Sequence, residues 1–351
     1  MTRRNIWKIL LISALFIVFC GCSKSDSEAM KSEEKSAETD EAVTKDVFAM
    51  DTVMTLTAFG EEAQQAVDEA EKEIKHLDEL LSTGIEDSEI SIVNDNGSEY
   101  LSEDTASLIS KSIELYKSTE GAFDITVYPL MEEWGFTTHK YKVPDRNKIK
   151  KLLENVDASK IEFDGNSKFI SLPENTKIDL GGIAKGYTSD KIMKIYEKYN
   201  VTAGMVSLGG NVQVYKEKTD GTLWKVAVEN PDGGDNYLGV VSVKDKAVIT
   251  SGGYERYFEK DGITYHHIID PATGYPAETG LKSVTIVSGD GVLADGLSTS
   301  LFVMGKEKAL EYWKKNSDMF DLILEDDKDK ITITKGIQEY FTSDFDYDIA
   351  K

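Results

Sequence analysis

Residues 179–187 read DLGGIAKGY, a strand-like start followed by a glycine turn and a helix-forming end. A helix that begins near Lys185 has free N–H groups in its first turn, and the Gly181-Gly182 turn is expected to point such donors at an anion. Taken alone the signal is weak, because glycines ahead of a helix are often ordinary turn residues. Its meaning depends on segments elsewhere in the chain.

Two common phosphate-binding motifs do not match the residues around Lys185. The Gly-x-x-x-x-Gly-Lys-Ser/Thr pattern of P-loops cannot be aligned there, and the third glycine of a dinucleotide fingerprint is missing. The stretch is therefore a glycine turn at the mouth of a helix, without the signature of either nucleotide-binding class.

The charge of the chain restricts its partners. With 351 residues, 40% of them hydrophobic, a sizeable core is expected, and the formal net charge is −23. Nucleic acid and anionic lipid surfaces require basic patches, so this charge argues against non-specific binding to either. A phosphate-bearing ligand would need a metal ion or local N–H donors to offset the repulsion.

Residues 1–22 have the organisation of an export signal. Arg3-Arg4 gives a basic start, and the apolar run at 9–19 is too short to span a bilayer comfortably. The sequence FCGCS at 19–23 resembles a bacterial lipobox, with phenylalanine in place of the commoner leucine. That resemblance implies that Cys22 receives a lipid and becomes the mature N-terminus. An uncleaved membrane anchor is the alternative.

The remainder divides into a tether and one domain. Residues 23–45 are rich in Ser, Glu, Lys and Asp, which predicts a flexible tether, and residues 46–351 form the folded domain. Both cysteines of the chain lie within 1–22, so the domain has no disulfide and no cysteine-ligated metal. We expect the domain outside the cytoplasm, lipid-anchored to the bacterial cell membrane.

Periodicity predicts an α+β domain with mainly antiparallel strands in its second half. A turn is expected at Asn94–Gly97 and a loop over 121–136, with a hairpin near Asp164-Gly165. Ser102 is the predicted N-cap of the second helix. Predicted helices are 61–81, 103–119, 148–155, 186–199, 291–304 and 306–315. Predicted strands are 50–59, 203–208, 223–229, 238–250, 263–269, 282–288, 320–324 and 330–334.

Asp295 and Thr299 are the most informative pair for metal binding. Their spacing of four places a carboxylate and a hydroxyl on the same face of a helix. Two such hard oxygen donors suit Mg²⁺ or Ca²⁺, which keep other positions for water, a carbonyl or a substrate phosphate. A purely structural role, with Asp295 capping or solvating the helix and Thr299 at the core edge, is the alternative.

His267 is the candidate base. It follows a predicted strand, and Asp270-Pro271 then breaks that strand into a turn. A histidine beside an acidic turn can act as a general base when a neighbouring group fixes its tautomer. His266 should point to the opposite face of the strand and is the weaker candidate.

Taken in order, these segments resemble ApbE-type FAD:protein FMN transferases. The resemblance spans about residues 47–335. It is carried by Met50-Asp51-Thr52, Ser88-Glu89-Ile90-Ser91, GAFD at 121–124, Trp134-Gly135-Phe136, DLGGIAKGY at 179–187, SLGGNV at 207–212, HIIDPATG at 267–274 and ADGLSTS at 294–300.

The resemblance implies an α+β, T-fold-like domain of mainly antiparallel sheets with flanking helices. It also implies an Mg²⁺-dependent enzyme that transfers the FMN half of FAD to a Ser or Thr hydroxyl of an extracytoplasmic target protein, releasing AMP. Asp295, Thr299 and the Ala184 carbonyl would bind Mg²⁺, with Ser298 nearby. His267 would deprotonate the acceptor hydroxyl. The residues implied for the FAD site are Met50, Ala122, Phe123, Asp124, Gly181, Lys185 and Ile268.

Two positions depart from the family pattern. Gly84 stands after Ser82-Thr83 where the family often has tyrosine, so one stacking contact to the flavin or adenine is expected to be missing. Asp51 stands where a small glycine is usual. Two other functions remain open: an FAD pyrophosphatase that uses water as acceptor, and a flavin-binding lipoprotein without catalysis.

Overall fold

The computed structural model describes residues 41–234 and 236–351. The predicted signal peptide, the lipidation site at Cys22 and most of the predicted tether lie outside these residues. In the described part of the chain, no helix is both long and apolar enough to cross a membrane.

The described residues form an α+β fold, as the sequence predicts. The helices are α1 Ala63–Leu81, α2 Glu89–Asn96, α3 Glu103–Ser118, α4 Tyr128–Trp134, α5 Arg146–Leu153, α6 Ala184–Lys198, α7 Gly291–Met304 and α8 Lys306–Lys315. The strands are β1 Val43–Ala49, β2 Thr52–Phe59, β3 Ser98–Tyr100, β4 Glu162–Asp164, β5 Phe169–Ser171, β6 Ala203–Leu208, β7 Asn211–Tyr215, β8 Trp224–Val228, β9 Gly239–Val243, β10 Lys246–Gly252, β11 Tyr257–Lys260, β12 Ile263–His266, β13 Leu281–Ser288, β14 Phe320–Asp326, β15 Ile331–Thr334, β16 Phe341–Thr342 and β17 Tyr347–Ala350.

A nine-stranded sheet organises the described residues, in the order β1-β2-β6-β7-β10-β13-β14-β15-β17. Neighbouring strands pair antiparallel except β15 and β17, which are parallel. The interior strand β13 is buried along nearly its whole length, which is typical of a strand covered on both faces.

Different layers cover the two faces of this sheet. Ala247 and Ile249 of β10 belong to the same core as α7, whereas Val248 between them joins the core of the β8-β9-β16 sheet. Side chains alternate between faces along a strand, so α7 packs on one side and the small sheet on the other. This arrangement holds α7 against β10, where the candidate site lies.

Two glycines allow α6 and α7 to meet at their N-terminal ends. A Cβ atom on Gly186 would lie 2.1 Å from the Gly291 carbonyl oxygen and 2.6 Å from Asp295 Cβ. A Cβ atom on Gly291 would in turn lie 2.7 Å from the Gly186 carbonyl oxygen. Real side chains do not tolerate such separations, so the close approach of the helices depends on both glycines.

The N-terminal boundaries differ from the prediction. β1 begins at Val43, inside the segment predicted as tether, because its backbone pairs with β2 from Val43 opposite Ala58 onward. The strand predicted from residue 50 begins at Thr52, since Met50 and Asp51 form the turn with φ of 49° and 59°.

Other elements were also predicted differently. The expected loop over 121–136 contains the short helix α4, and the turn at Asn94–Gly97 is the end of α2, with Gly97 at φ 74°. The strand predicted over 238–250 is two strands, β9 and β10, because Asp245 adopts φ 48° in a turn. The sequence analysis also does not predict strands β3, β7, β11, β16 and β17.

Candidate functional site

The Asp295 carboxylate lies at the junction of α6 and α7. Its side chain is 5% exposed, and Oδ2 accepts a 2.8 Å hydrogen bond from the backbone N–H of Gly186. Oδ1 accepts a 3.0 Å bond from Nδ2 of Asn211, the first residue of β7. The Gly186 N–H is a first-turn donor without a helical partner, so the start of α6 provides a natural position for this anion.

Burial makes the ionised form of Asp295 costly. It raises the pKa of the carboxyl above its ordinary value, and the Lys185 ammonium and the bonds from Gly186 and Asn211 oppose this only in part. A cation beside the carboxylate would remove the remaining cost. The electrostatics of this position therefore fit a metal ligand.

A hydroxyl relay orients Thr299. Ser298 Oγ donates to the Asp295 carbonyl oxygen at 2.8 Å, so it must accept the hydrogen of Ser251, whose Oγ lies 2.8 Å away. Ser251 Oγ then accepts from Thr299 Oγ1 at 3.1 Å. Because the Thr299 hydrogen points to Ser251, the lone pairs of its oxygen remain available to a cation.

Ala184, the third residue predicted to bind metal, opens α6 two residues before Gly186. Its carbonyl oxygen accepts a 2.8 Å hydrogen bond from Thr188 Oγ1. Together with Asp295 and Thr299 it would give a donor set of hard oxygens only, the kind that Mg²⁺ prefers. The residues present therefore fit Mg²⁺, while the metal-binding roles of Asp295, Thr299 and Ala184 stay predictions.

A cavity of about 1030 Å³ opens beside this junction. Its volume is at the upper end for small-molecule pockets and suits a ligand as large as a dinucleotide. Lys185 and Met50 belong to its lining, as do four tyrosines that offer flat apolar faces to aromatic rings. The tyrosines are Tyr141, Tyr237, Tyr254 and Tyr257.

His267 follows β12 and is half-buried. Its Nδ1 lies 3.2 Å from the carbonyl oxygen of Arg256, which can only accept, so Nδ1 carries the hydrogen. Nε2 is then the basic nitrogen. Desolvation, together with the positive charges of Arg256 and Lys185, lowers the pKa of His267 to about 3, so the ring is neutral at pH 7.

His266 faces the other way, as predicted. Its Nε2 lies 3.2 Å from the Ala277 carbonyl oxygen, and its ring packs edge-on against Phe302. Its imidazole is therefore engaged by the protein interior, so His267 is the candidate base of this adjacent pair. His267 is outside the lining of the large cavity, and His139 belongs to that lining.

The other residues predicted for the FAD site lie outside the lining of this cavity in the described chain. Phe123 is 5% exposed and packs beneath the Gly181-Gly182 turn, where its Cε2 would be 3.4 Å from a Cβ on Gly182. Ile268 is buried, Ala122 is half-buried and Gly181 is exposed.

Asp124 serves as an internal acceptor. Its Oδ1 accepts from the Thr126 backbone N–H at 2.8 Å and from the Thr126 hydroxyl at 2.5 Å, and Oδ2 accepts from Ala158 N–H at 3.2 Å. These bonds fix the backbone after Phe123. Any contact between these residues and FAD stays a prediction.

Comparison with known proteins identifies the family. Residues 50–324 match the sequence pattern of the ApbE family. The chain belongs to the ApbE family.

Relatives of this ApbE chain cover most of its length. An FAD:protein FMN transferase of Haemophilus influenzae is 34% identical over 289 residues, which are 79% of this chain and 83% of the relative. One from Treponema pallidum is 28% identical over 348 residues, 93% of each chain. The crystal structure of the ApbE protein of Thermotoga maritima superposes with a TM-score of 0.80 at 33% identity, covering 86% of this chain and 99% of that one. The predicted family, the fold class and the assignment as an enzyme are thereby confirmed.

Several residues of this ApbE site were not assigned a role from the sequence. Asn211 and Ser251 orient the carboxylate and the hydroxyl, and Arg256 fixes His267 through its carbonyl. Glu255 lines the cavity. Desolvation there, together with the negative charges of Glu229 and Asp295, raises the pKa of Glu255 to about 7, although the positive charge of Lys185 opposes this. Asn211 lies within the SLGGNV segment, so the sequence offers a reason to examine it. The roles of Ser251, Glu255 and Arg256 depend on tertiary contacts and have no such sequence motif.

Proposed function

We propose that this enzyme transfers FMN from FAD to a Ser or Thr hydroxyl of an extracytoplasmic protein and releases AMP, with Mg²⁺ as cofactor. The observation that carries the proposal is the hydrogen bond between His267 Nδ1 and the Arg256 carbonyl oxygen. Because Nδ1 carries the hydrogen, Nε2 is the basic nitrogen of the neutral imidazole. A Ser or Thr hydroxyl is a poor nucleophile while protonated, so a positioned base of this kind is required.

The proposed reaction is a displacement at the phosphorus that carries the riboflavin half. The acceptor oxygen forms a bond to that phosphorus, and the bond to the bridging oxygen breaks, so that AMP leaves with the bond's electrons. His267 Nε2 takes the hydroxyl proton. Lys185, on the cavity wall, places an ammonium where the pyrophosphate charge is expected.

Asp295, Thr299 and the Ala184 carbonyl would hold Mg²⁺. When bound, the ion would supply neutralisation of charge on the pyrophosphate oxygens. A local positive centre is needed because the chain has a net charge of −23 and its substrate is a polyanion. The first-turn N–H groups of α6 add to the same field.

The proposed location is the outer face of the bacterial cell membrane, with a lipid on Cys22. The lipobox-like FCGCS sequence after a short apolar run supports it. Metabolic labelling with a fatty acid, compared between the unaltered chain and Cys22→Ala, tests this; equal labelling of the two chains would contradict it.

Product analysis tests the reaction. The enzyme is incubated with FAD, Mg²⁺ and a peptide that carries a Ser/Thr acceptor motif, and the products are measured by mass spectrometry. Transfer gives flavinylated peptide and AMP in equal amounts. Free FMN and AMP without flavinylated peptide would identify a pyrophosphatase instead. No turnover at all, with FAD bound, would contradict the proposed reaction.

A further inference from the structure

A second group of acidic side chains lies apart from Asp295. One carboxylate oxygen each of Asp232, Glu325 and Asp329 lies within 4.8 Å of the others. Asp232 belongs to the loop after β8, Glu325 to β14 and Asp329 to the turn that follows β14. Oxygens at this spacing can surround one ion, because Ca²⁺–oxygen distances are about 2.3–2.6 Å.

Lys282 neutralises this group only in part. Its Nζ lies 2.6 Å and 2.7 Å from the two Asp232 oxygens and 2.5 Å from Asp329 Oδ1. The three donors of the ammonium are thereby used, and none remains for Glu325. Lys282 stands at a register shift between Leu281 and Ser283, and such a bulge redirects a side chain.

Glu325 points to a missing partner. It is 3% exposed, and Oε2 has no hydrogen-bond partner in the described chain. Ser283, directly opposite on β13, is 1% exposed and its hydroxyl also has none. Burial and the nearby Asp232 and Asp329 raise the pKa of Glu325 to about 7, against the opposing charge of Lys282. Two unpartnered buried oxygens at neighbouring positions are costly unless a ligand binds them.

We propose that Asp232, Glu325 and Asp329 bind one Ca²⁺ ion, with the Ser283 hydroxyl as a further oxygen donor and Lys282 as a competing internal cation. Ca²⁺ fits better than Mg²⁺ because it accepts six to eight irregularly placed oxygens, some of them from water. Asp232 and Asp329 are largely exposed, so water has access to the remaining positions.

The ion would connect the cavity rim to the sheet. Glu229, Asn230, Gly233 and Gly234 line the large cavity, and Asp232 lies among them. Binding at Asp232 and Glu325 would tie this loop to β14. The proposal does not depend on flavin transfer, because it involves none of the residues of the Asp295 site.

Calorimetric titration of the purified full chain with CaCl₂ tests the proposal. With Mg²⁺ present to occupy the Asp295 site, which could also take Ca²⁺, we expect saturable binding of one Ca²⁺ that Glu325→Gln abolishes and Asp329→Asn weakens by more than about tenfold. Lys282→Gln should bind Ca²⁺ more tightly, because the competing ammonium is gone. Asp295→Asn should retain this binding event.

Asp327→Asn is the matched control, because Asp327 lies in the same exposed turn and is outside the ligand set. It should bind Ca²⁺ as the unaltered chain does. The proposal is overturned if the unaltered chain shows no saturable binding, or if Asp327→Asn weakens binding as much as Asp329→Asn. Undiminished binding by folded Glu325→Gln would overturn it too. Should Glu325→Gln fail to fold, weaker binding by Lys282→Gln would be the overturning result.

Hydrogen exchange gives a second readout. Ca²⁺ should slow exchange in loop residues 229–234 of the unaltered chain and not of Asp329→Asn. An equal effect in both chains would contradict the proposed connection between the ion and the loop.

Discussion

His267 Nδ1 lies 3.2 Å from the carbonyl oxygen of Arg256, so the imidazole is held in the tautomer whose basic nitrogen is Nε2. The backbone N–H of His267 donates to the same oxygen at 3.0 Å, which fixes the ring relative to its own main chain. A base must present a lone pair in a fixed direction, and these two contacts provide that.

The protonation of His267 is open to direct measurement. Its pKa is lowered to about 3, so the folded protein favours the neutral ring, and the stability from this residue is present above the unfolded pKa near 6.5 and lost as pH falls toward 3. ¹⁵N NMR of the free protein should show a protonated Nδ1, a bare Nε2 and no titration of His267 near 6.5. A titration midpoint of His267 near 6.5 would show that desolvation and the nearby positive charges do not lower its pKa.

Asp295→Asn should separate metal binding from folding. Burial raises the pKa of Asp295, and the Asn211 amide can turn its oxygen toward the new Nδ2, so removing the charge should not lower the Tm measured without metal. Mg²⁺ should raise the Tm of the unaltered chain through binding to the native state, and leave the variant unchanged. Flavin transfer should fall by more than about 100-fold. An equal Mg²⁺-induced rise in both chains would place the metal elsewhere.

Ser251→Ala should weaken Mg²⁺ binding, because Ser251 orients the Thr299 hydroxyl. Without Ser251 Oγ, the Thr299 hydrogen loses the acceptor that turns its lone pairs outward. The Mg²⁺ concentration for half-maximal activity should rise about 10- to 100-fold. Ser300→Ala is the control, since that hydroxyl bonds to Gly296 within its own helix. If both variants shift the Mg²⁺ requirement equally, the effect is one of stability and not of orientation.

Gly186→Ala should force α6 and α7 apart. The new Cβ would lie 2.1 Å from the Gly291 carbonyl oxygen, so we expect a loss of about 1–3 kcal/mol in the free energy of unfolding and a large loss of activity. Gly165→Ala is the comparison, because its Cβ would meet Phe163 only at 3.7 Å. Denaturant unfolding of both variants measures the difference; equal stability would mean that the helix junction relaxes freely.

Prediction from sequence succeeded where the signal is local. The periodic segments gave α1, α3, α6 and α7, and Ser102 caps α3 as expected through its bond with Thr105 N–H. The sequence predicts a loop where α4 forms, because the seven residues of this helix, YPLMEEW, are too few to show a period. The turn at Asp245 depends on a left-handed conformation that the strand pattern does not reveal.

The same distinction applies to the site. Asp295 and Thr299 are four residues apart on one helix, so their relation is visible in the sequence. Asn211 and Ser251 reach them only because β7 and β10 pair beneath α7, and that register is a tertiary property. Their partners could therefore be found only in the folded chain.

The most direct measurement is the rate of peptide flavinylation by His267→Ala, with FAD affinity measured in parallel. If Nε2 of His267 takes the proton of the acceptor hydroxyl, transfer should fall by about 100- to 10,000-fold while FAD binding is largely retained. Full transfer activity in the variant would contradict the assignment of His267 as the base.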